Sequence, residues 1–268
     1  MSRSWRDRLL VSLEPAALRW VRLAGAWAHR VTDQRSVEVD AADGRGAWHG
    51  AVAALGRAAE TWRGERLRVS VVLSNHFVRY TIVPAPGGAS GTDEERALAR
   101  FHFAKIHGQR AETWELRLGR GRSGAPRLAC AIDKDLFAAV KGCFPTQSRA
   151  RLVSLQPYLM SAFNLWRARL PKEGAWLLLA EDGRACLALH ARGAWRAVQN
   201  VRGAFLAPED WEALLERERH RAGVDAGPRT LLARADARAL AALREVRGWN
   251  VTGLASVDER YAMGWTAA

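Results

Sequence analysis

The chain contains little cysteine, and the cysteines it has are widely spaced. Its 268 residues include three, Cys130, Cys143 and Cys186, with no CxxC or Cys/His cluster around them. This spacing suggests neither a disulfide framework nor a structural zinc site. The seven histidines show no HxH or HExxH spacing either, so we expect no metal site. The thiols are expected to be buried in a reducing compartment.

Long apolar runs are also missing. The densest run, AWLLLA at 175–180, is followed at once by Glu181 and Asp182. It falls well short of the roughly 18 apolar residues that a membrane-spanning helix needs. The N-terminal stretch MSRSWRDRLLVSLEP carries charges but has no long apolar core and no small-residue cleavage site, so it does not resemble a signal peptide. These patterns predict a cytoplasmic protein.

Acidic residues are too few to balance the basic ones. The chain has 28 Asp and Glu against 41 Lys and Arg, a formal net charge of +13. An excess of positive charge can indicate nucleic-acid binding, because Lys and Arg neutralise phosphates. However, arginine is spread over every segment, without a run of five basic residues or a basic helix carrying stacking aromatics. We interpret the charge as compositional bias on solvated faces, which disfavours a nucleic-acid partner. Attraction to an anionic membrane surface or an acidic partner is the alternative.

Strands and helices alternate along the first third of the chain. The stretch LLVSLEPAALRWVRL (9–23) predicts two strands around a break at Glu14-Pro15-Ala16, and a third strand follows at 36–40. Apolar residues from Trp48 to Trp62 then recur on one stripe of an amphipathic helix. The β-branched run LRVSVVLS (67–74) is typical of a central strand that is covered on both faces.

Residues 76–146 predict an inserted β-α-β-β-α unit. Its first strand ends in prolines, and the flexible joint GGASG (87–91) follows. Thr92 and Glu95 predict a capping box for a helix that we expect to bury Ala97, Leu98, Phe101 and Ala104. Strands at 112–119 and 126–132 come next, and Asp133 caps the last helix.

After this unit the chain returns and then repeats its opening pattern. Residues 147–171 predict a strand (149–157) and a helix that starts at Pro157. Residues 172–268 then predict three strands within 175–203, helices from Pro208 and Asp236, and strands at 229–234 and 249–254. With 1–75 as the first half, both halves are β-β-β-α-β-α. The predicted fold class is therefore α/β and duplicated, with an insertion in the first half.

This layout resembles the actin-like, ribonuclease-H-like ATPase fold. The inserted unit resembles that of the division protein FtsA and, more closely, those of the PilM, GspL cytoplasmic-domain and MshI-like proteins of pilus and type II secretion assembly. Three stretches carry the resemblance: VSVVLSNHFVRYTIVPAP (69–86), EERALARFHFAKIHG (94–108) and DERYAMGWTAA (258–268).

The resemblance implies positions for nucleotide chemistry, and this sequence departs from them. An active relative has Asp, then Gly, then Lys in its first hairpin, to organise Mg²⁺ and to let backbone amides approach phosphate. Ser12, Glu14 and Arg19 stand at those positions, and Pro15 removes an amide donor. In the second half Asp182 and Gly183 occupy the equivalent turn, and RADARAL (234–240) replaces an adenosine-binding Gly-Gly pair. We therefore expect no cofactor and no catalysis, with an active ATPase or kinase using ATP and Mg²⁺ as the alternative.

The resemblance also implies a partner. Such a scaffold would lie on the cytoplasmic face of the inner membrane and bind the tail of a PilN- or GspM-like platform protein, or the assembly ATPase. The partner segment would lie in a cleft between the halves or add to an edge strand of the inserted unit. Because aromatic and arginine side chains concentrate at interfaces, the candidate contact residues are Trp27, Arg79, Tyr80 and Trp114. A nucleic-acid-binding protein remains a second alternative.

Overall fold

The computed structural model describes residues 7–25, 30–39, 48–85, 92–119, 121, 124–223, 228–254 and 263. The chain divides into two compact units. Residues up to Val78 join Ile132–Leu165 in the first unit, and Arg79–Ala131 join Trp166–Ala255 in the second. Within the described residues, no helix combines the length and the apolar character that a membrane crossing requires. The domain boundaries predicted from sequence stay a prediction.

The first unit is built on a five-stranded mixed sheet. Strand β1 (Asp7–Leu13) pairs antiparallel with β2 (Ala17–Ala24), and β2 pairs antiparallel with β3 (Arg30–Glu38). On its other side β1 pairs parallel with β4 (Leu67–Leu73), which pairs parallel with β8 (Arg151–Pro157). The order is β3-β2-β1-β4-β8, which places the apolar strands β1 and β4 in the interior of the sheet.

Three helices belong to this part of the chain: α1 (His49–Trp62), α3 (Lys134–Gly142) and α4 (Tyr158–Trp166). The helix predicted from the spacing of Trp48 to Trp62 is confirmed in α1. Trp62 lies edge-on against Trp20 of the sheet, with ring centroids 5.3 Å apart. The Asp133 side chain accepts a hydrogen bond from the Asp135 backbone N–H, which confirms the predicted cap of α3.

The second unit repeats the topology of the first. Its main sheet has the order β11-β10-β9-β12-β13 and again combines two antiparallel pairings with two parallel ones. This repetition confirms the duplicated α/β prediction. Two large side chains, Trp176 and Trp211, are almost completely buried in its core. The elements are β9 (Ala175–Glu181), β10 (Arg184–Ala191), β11 (Ala194–Arg202), α5 (Pro208–Arg221), β12 (Thr230–Arg234), α6 (Ala237–Glu245) and β13 (Asn250–Gly253).

One carboxylate links three segments of this unit. Glu216 of α5 accepts a hydrogen bond of 2.9 Å from the Trp249 indole and pairs with Arg219 and Arg229 at 2.8 and 2.9 Å. Burial acts to raise the pKa of Glu216, but the Trp249 hydrogen bond and the two arginines outweigh it and hold that pKa below its usual value. The carboxylate is therefore ionised at neutral pH and stabilises the contacts of α5 with the segments flanking β12 and β13.

The inserted segment forms a small sheet with one long helix against it. It comprises β5 (Val78–Val83), α2 (Thr92–His107), a 3₁₀ turn (Gly108–Thr113), β6 (Trp114–Leu118) and β7 (Arg127–Asp133). The strand order is β5-β7-β6, so β5 is an edge strand. The predicted joint at 87–91 and the Thr92 side chain lie outside the described residues.

The buried face of α2 differs from the predicted one. Ala99 and Phe103 are buried, whereas Phe101 of the predicted face is 63% exposed. Phe103 packs edge-on against Trp114, with ring centroids 6.1 Å apart, and this contact determines the rotation of the helix on its sheet. The spacing could not distinguish the two faces, because apolar residues occur on both sides of this helix. The strand predicted at 112–119 begins at Trp114, because the preceding residues form the 3₁₀ turn.

Candidate functional site

The turn between β1 and β2 is occupied by its own carboxylate. Glu14 accepts a hydrogen bond of 3.1 Å from the Ser12 hydroxyl and forms an ion pair with Arg19 of β2. The Glu14 backbone N–H donates to the Ala17 carbonyl at 3.0 Å, so this amide is also engaged. The hairpin therefore directs a hydroxyl and a guanidinium at Glu14, where a phosphate-binding turn would direct its donors at a ligand.

The equivalent turn of the second unit is small and exposed. Asp182 and Gly183 connect β9 to β10, and Gly183 has a φ of +62°, a conformation that favours glycine. The Gly183 carbonyl accepts from the Gly203 backbone N–H at 3.2 Å. These contacts are those of a hairpin turn.

The segment after β12 is used as a helix cap. In RADARAL, the Asp236 side chain accepts a hydrogen bond of 2.7 Å from the Ala239 backbone N–H at the start of α6. A carboxylate at a helix N-terminus satisfies an otherwise unpaired N–H and interacts favourably with the helix dipole. The same negative charge would repel an anionic ligand at this end of the helix.

A large basic cavity lies within the second unit. It has a volume of about 690 Å³, in the range of small-molecule and peptide sites. Five arginines and one glutamate line it, which leaves four net positive charges. The wall is formed by Arg79–Ile82 of β5, Ile106 and His107 of α2, Arg184 of β10, Arg196–Asn200 and Arg202 of β11, Glu218 and Arg221 of α5, and Ala222, which follows α5. We call this the basic cavity.

Arg184 is the most deeply buried cation of the basic cavity. It is 6% exposed, its Nη1 donates to the Asn200 side-chain oxygen at 3.2 Å, and its Nε has no hydrogen-bond partner among the described residues. Burial is the main cause that lowers the pKa of Arg184, and the nearby positive charges of Arg202 and Arg79 add to it. Glu181 acts in the opposite direction but is a smaller influence. Arg184 is therefore a charged donor with unused hydrogen-bonding capacity.

On the β5 wall of the basic cavity, Arg79 lies over an aromatic ring. Its guanidinium carbon is 5.5 Å from the ring centroid of Trp114, a cation–π geometry. The neighbouring His107 ring is 4.9 Å from Trp114. Burial, together with Arg79 and Arg110, lowers the pKa of His107, so the imidazole is neutral at pH 7 and adds no charge to the basic cavity.

The one carboxylate of the basic cavity is already paired. Glu218 is 2% exposed and accepts from Arg217 at 2.9 Å and from Arg221 at 3.1 Å. It thus neutralises part of the charge at the α5 wall. Within the described part of the chain, Arg196 and Arg202 form neither an ion pair nor a side-chain hydrogen bond. The positive charge at the β11 wall is therefore not balanced by ion pairs among the described residues.

The complete fold matches solved structures at low sequence identity. A structure of the PilM-PilN type IV pilus biogenesis complex matches with a TM-score of 0.68 at 14% identity, covering 97% of this chain and 96% of that one. A Bacteroides thetaiotaomicron protein described as having an actin-like ATPase fold and unknown function matches with a TM-score of 0.65 at 13% identity, covering 98% and 97%. The chain has the actin-like ATPase fold.

A third match is the cytoplasmic domain of EpsL, an inner-membrane component of the type II secretion system of Vibrio cholerae. It matches with a TM-score of 0.60 at 14% identity and covers 97% of this chain and 94% of that domain. No protein-family model and no curated protein match the sequence. The resemblance predicted from short motifs is therefore confirmed at the level of the fold.

Two of the four partner-contact candidates lie together in this actin-like fold. Arg79 and Tyr80 are consecutive residues of the edge strand β5 and line the basic cavity. Trp114 is 7% exposed and belongs to the core of the inserted sheet, where it supports Arg79. Trp27 lies outside the described residues.

The sequence reading missed the arginines of β10 and β11. In AWRAVQNVR (194–202) the polar residues Asn200 and Arg202 are two apart and lie on one face of the strand, whereas the pairing with β10 shifts register at Arg196. This alternation could have indicated a charged strand face. It gave no sign of the partner strand, because Arg184 joins the cluster only through the β10–β11 pairing.

Proposed function

We propose that this chain is a non-catalytic scaffold of the inner-membrane assembly platform of a type IV pilus, an MSHA-like pilus or a type II secretion system. The observation that carries the proposal is the match in fold, over nearly the whole chain, to the PilM-PilN complex and to the cytoplasmic domain of EpsL. Both of those proteins belong to such machines. In this role the chain would act at the cytoplasmic face of the inner membrane, and its net charge of +13 favours an anionic membrane surface.

The β1–β2 hairpin supports the non-catalytic part of the proposal. Glu14 places a negative charge where an active relative would hold phosphate and Mg²⁺, and Ser12 and Arg19 hold that charge in place. The Asp236 cap adds a second negative charge at the segment expected to approach adenosine. Both features disfavour nucleotide binding through charge repulsion.

The partner in this proposal is the cytoplasmic tail of a PilN- or GspM-like platform protein, or the assembly ATPase. Arg79 and Tyr80 lie in the basic cavity, where a bound segment would contact both side chains. Of the two docking modes predicted from sequence, addition to the edge strand β5 is the one that fits this wall, because β5 has a neighbour on one side only among the described strands.

Co-purification tests the scaffold proposal. Affinity-tagged full-length chain is expressed in its own host and isolated from detergent-solubilised membranes at about 150 mM salt, where non-specific charge effects are screened. We expect platform proteins or the assembly ATPase to be recovered with it. An untagged chain serves as the control. Recovery of none of these proteins would overturn the proposal.

An active ATPase or kinase is the second candidate, because the fold itself is that of an ATPase family. A thermal-shift titration with Mg-ATP distinguishes the two. A ligand at 100 times its dissociation constant stabilises the folded state by about 2.7 kcal/mol, which is a measurable shift of the melting temperature. We expect no shift at millimolar nucleotide. A saturable shift accompanied by phosphate release would replace the scaffold proposal with the enzymatic one.

A further inference from the structure

The basic cavity concentrates like charges on one strand pair. Arg184 of β10 lies directly opposite Arg202 of β11 in the antiparallel register, and Arg184 bonds to Asn200 on the same face. Like charges placed directly opposite each other across two strands destabilise the pair. Arg196 lines the same cavity further along β11, at the point where the β10–β11 register shifts. An arrangement of this kind is stabilised when an anion binds between the guanidinium groups.

Arg184 adds a direct indication of a ligand. Its side chain is more than nine-tenths buried, lines the basic cavity, and has an Nε donor with no hydrogen-bond partner in the described part of the chain. Leaving a buried charged donor unsatisfied is unfavourable, and such groups are normally hydrogen-bonded. A carboxylate would satisfy this donor and offset the positive charge at the same time.

The walls of the basic cavity indicate the shape of the ligand. Arg79–Ile82 and Arg196–Asn200 are runs of consecutive residues on β5 and β11, and both strands stand at the edge of their sheets. Because side chains of a strand alternate between faces, consecutive residues line a cavity only where the strand edge faces it. Edge strands offer unpaired backbone groups to an extended chain. A segment bound here would thus use backbone hydrogen bonds in addition to its charges.

We propose that the basic cavity binds an extended acidic segment of a partner protein, whose carboxylates pair with Arg184, Arg196 and Arg202 while its backbone follows a strand edge. Under the proposed function this segment would belong to a platform partner, and to that extent the inference rests on the proposed function. The distance between Arg196 and Arg202, six residues along an extended strand, is about 20 Å. An extended heptapeptide has this same length of about 20 Å, and its outer glutamates, four residues apart, are separated by about 13 Å.

The test uses the purified full-length chain and defined probes. The first probe is a fluorescein-labelled peptide Ser-Glu-Val-Glu-Val-Glu-Ser, and its matched control carries glutamine in place of each glutamate. Inorganic phosphate is the third probe, used as a competitor. We expect saturable binding of the acidic peptide by fluorescence anisotropy, weakened by salt, and affinity for the glutamine peptide at least about tenfold lower, since each charge-assisted contact contributes about that much.

Charge-reversal variants locate the site. The double variant Arg196→Glu/Arg202→Glu changes exposed side chains of the basic cavity and should lower the affinity for the acidic peptide at least about tenfold. The matched control Arg238→Glu/Arg247→Glu makes the same change of net charge on exposed residues that do not line the cavity, and should keep affinity within about twofold. Thermal unfolding of all variants verifies that they are folded.

Three results would overturn the proposal. Equal affinity for the acidic and the glutamine peptide would show that the carboxylates do not contribute to binding. An equal loss of affinity in the control variant would show that only the net charge of the protein matters. Saturable phosphate binding without acidic-peptide binding would make the basic cavity a small-anion site. Peptide binding together with failed co-purification would retain the site and reject the platform assignment, so the two proposals can fail separately.

Discussion

Replacing Arg184 with methionine should stabilise the protein. Methionine keeps a flexible stem of similar length to fill the space, and it removes the buried charge. The arginine leaves its Nε unsatisfied and faces Arg202, and burying an unsatisfied charged donor costs about 1–3 kcal/mol or more. The substitution loses one hydrogen bond, to Asn200 at 3.2 Å, which contributes about 1.5 kcal/mol because its donor is charged. We expect a net gain of up to about 1.5 kcal/mol.

This gain is measurable as a shift of the melting temperature. For a protein of this size 1 kcal/mol corresponds to about 2–4 °C, so Arg184→Met should melt up to about 6 °C higher in low-salt chloride buffer. Folding disfavours the charged form of Arg184, whose pKa is lowered. The penalty is therefore present at every pH below that pKa, and the gain should be the same from about pH 6 to 9, where the guanidinium stays charged. Arg238→Met, at an exposed site, is the control and should change stability little.

Added anion gives a second measurement on the same pair of proteins. Phosphate should raise the melting temperature of the wild type more than that of Arg184→Met, because the anion offsets a charge that the variant lacks. A variant less stable than the wild type by more than about 1 kcal/mol would refute the reasoning, since Arg184 would then be a satisfied structural group.

Three further predictions concern the rest of the molecule. Gly174→Ala should lower the free energy of unfolding in urea by about 2 kcal/mol or more, because Gly174 has a φ of +113° and a Cβ there would lie 2.5 Å from the Cα of Ala191. The control Gly142→Ala has open space around it and should leave this free energy unchanged or raise it. Burial raises the pKa of the Cys186 thiol, so iodoacetamide at about pH 8 should label it only after unfolding, as read by mass spectrometry; rapid labelling of native protein would contradict this. Glu216→Gln should destabilise the protein above the usual carboxyl pKa of 4.5, and the difference from wild type should shrink as pH falls below 4.5 and through the lowered pKa. A difference that stays constant as pH falls below 4.5 would show that the contribution of Glu216 is not its charge.

Strands and helices whose apolar residues recur on one face only could be predicted from the sequence. Strands β1, β2 and β4 and helix α1 lie where the alternation and the helical stripe indicate, because each presents one apolar pattern to one core. The buried face of α2 could not be predicted in this way, because apolar residues occur on more than one side of this helix. The contact between Phe103 and Trp114 determines which side is buried. Strand β3 begins at Arg30, earlier than the prediction at 36–40, because backbone pairing with β2 holds polar residues in the sheet.

The sequence by itself determined the duplicated order of strands and helices and the chemistry of the first hairpin. Local patterning decides both, since Ser12, Glu14 and Arg19 lie within eight residues and meet through a single turn. The basic cavity was decided by the tertiary structure alone. Its arginines come from segments separated by more than a hundred residues, and only the β10–β11 register and the packing of the second unit place Arg79, Arg184 and Arg202 around one space. The local density of charge in a fold depends on which strands lie next to each other, whereas the amino-acid composition gives only the net charge of the whole chain.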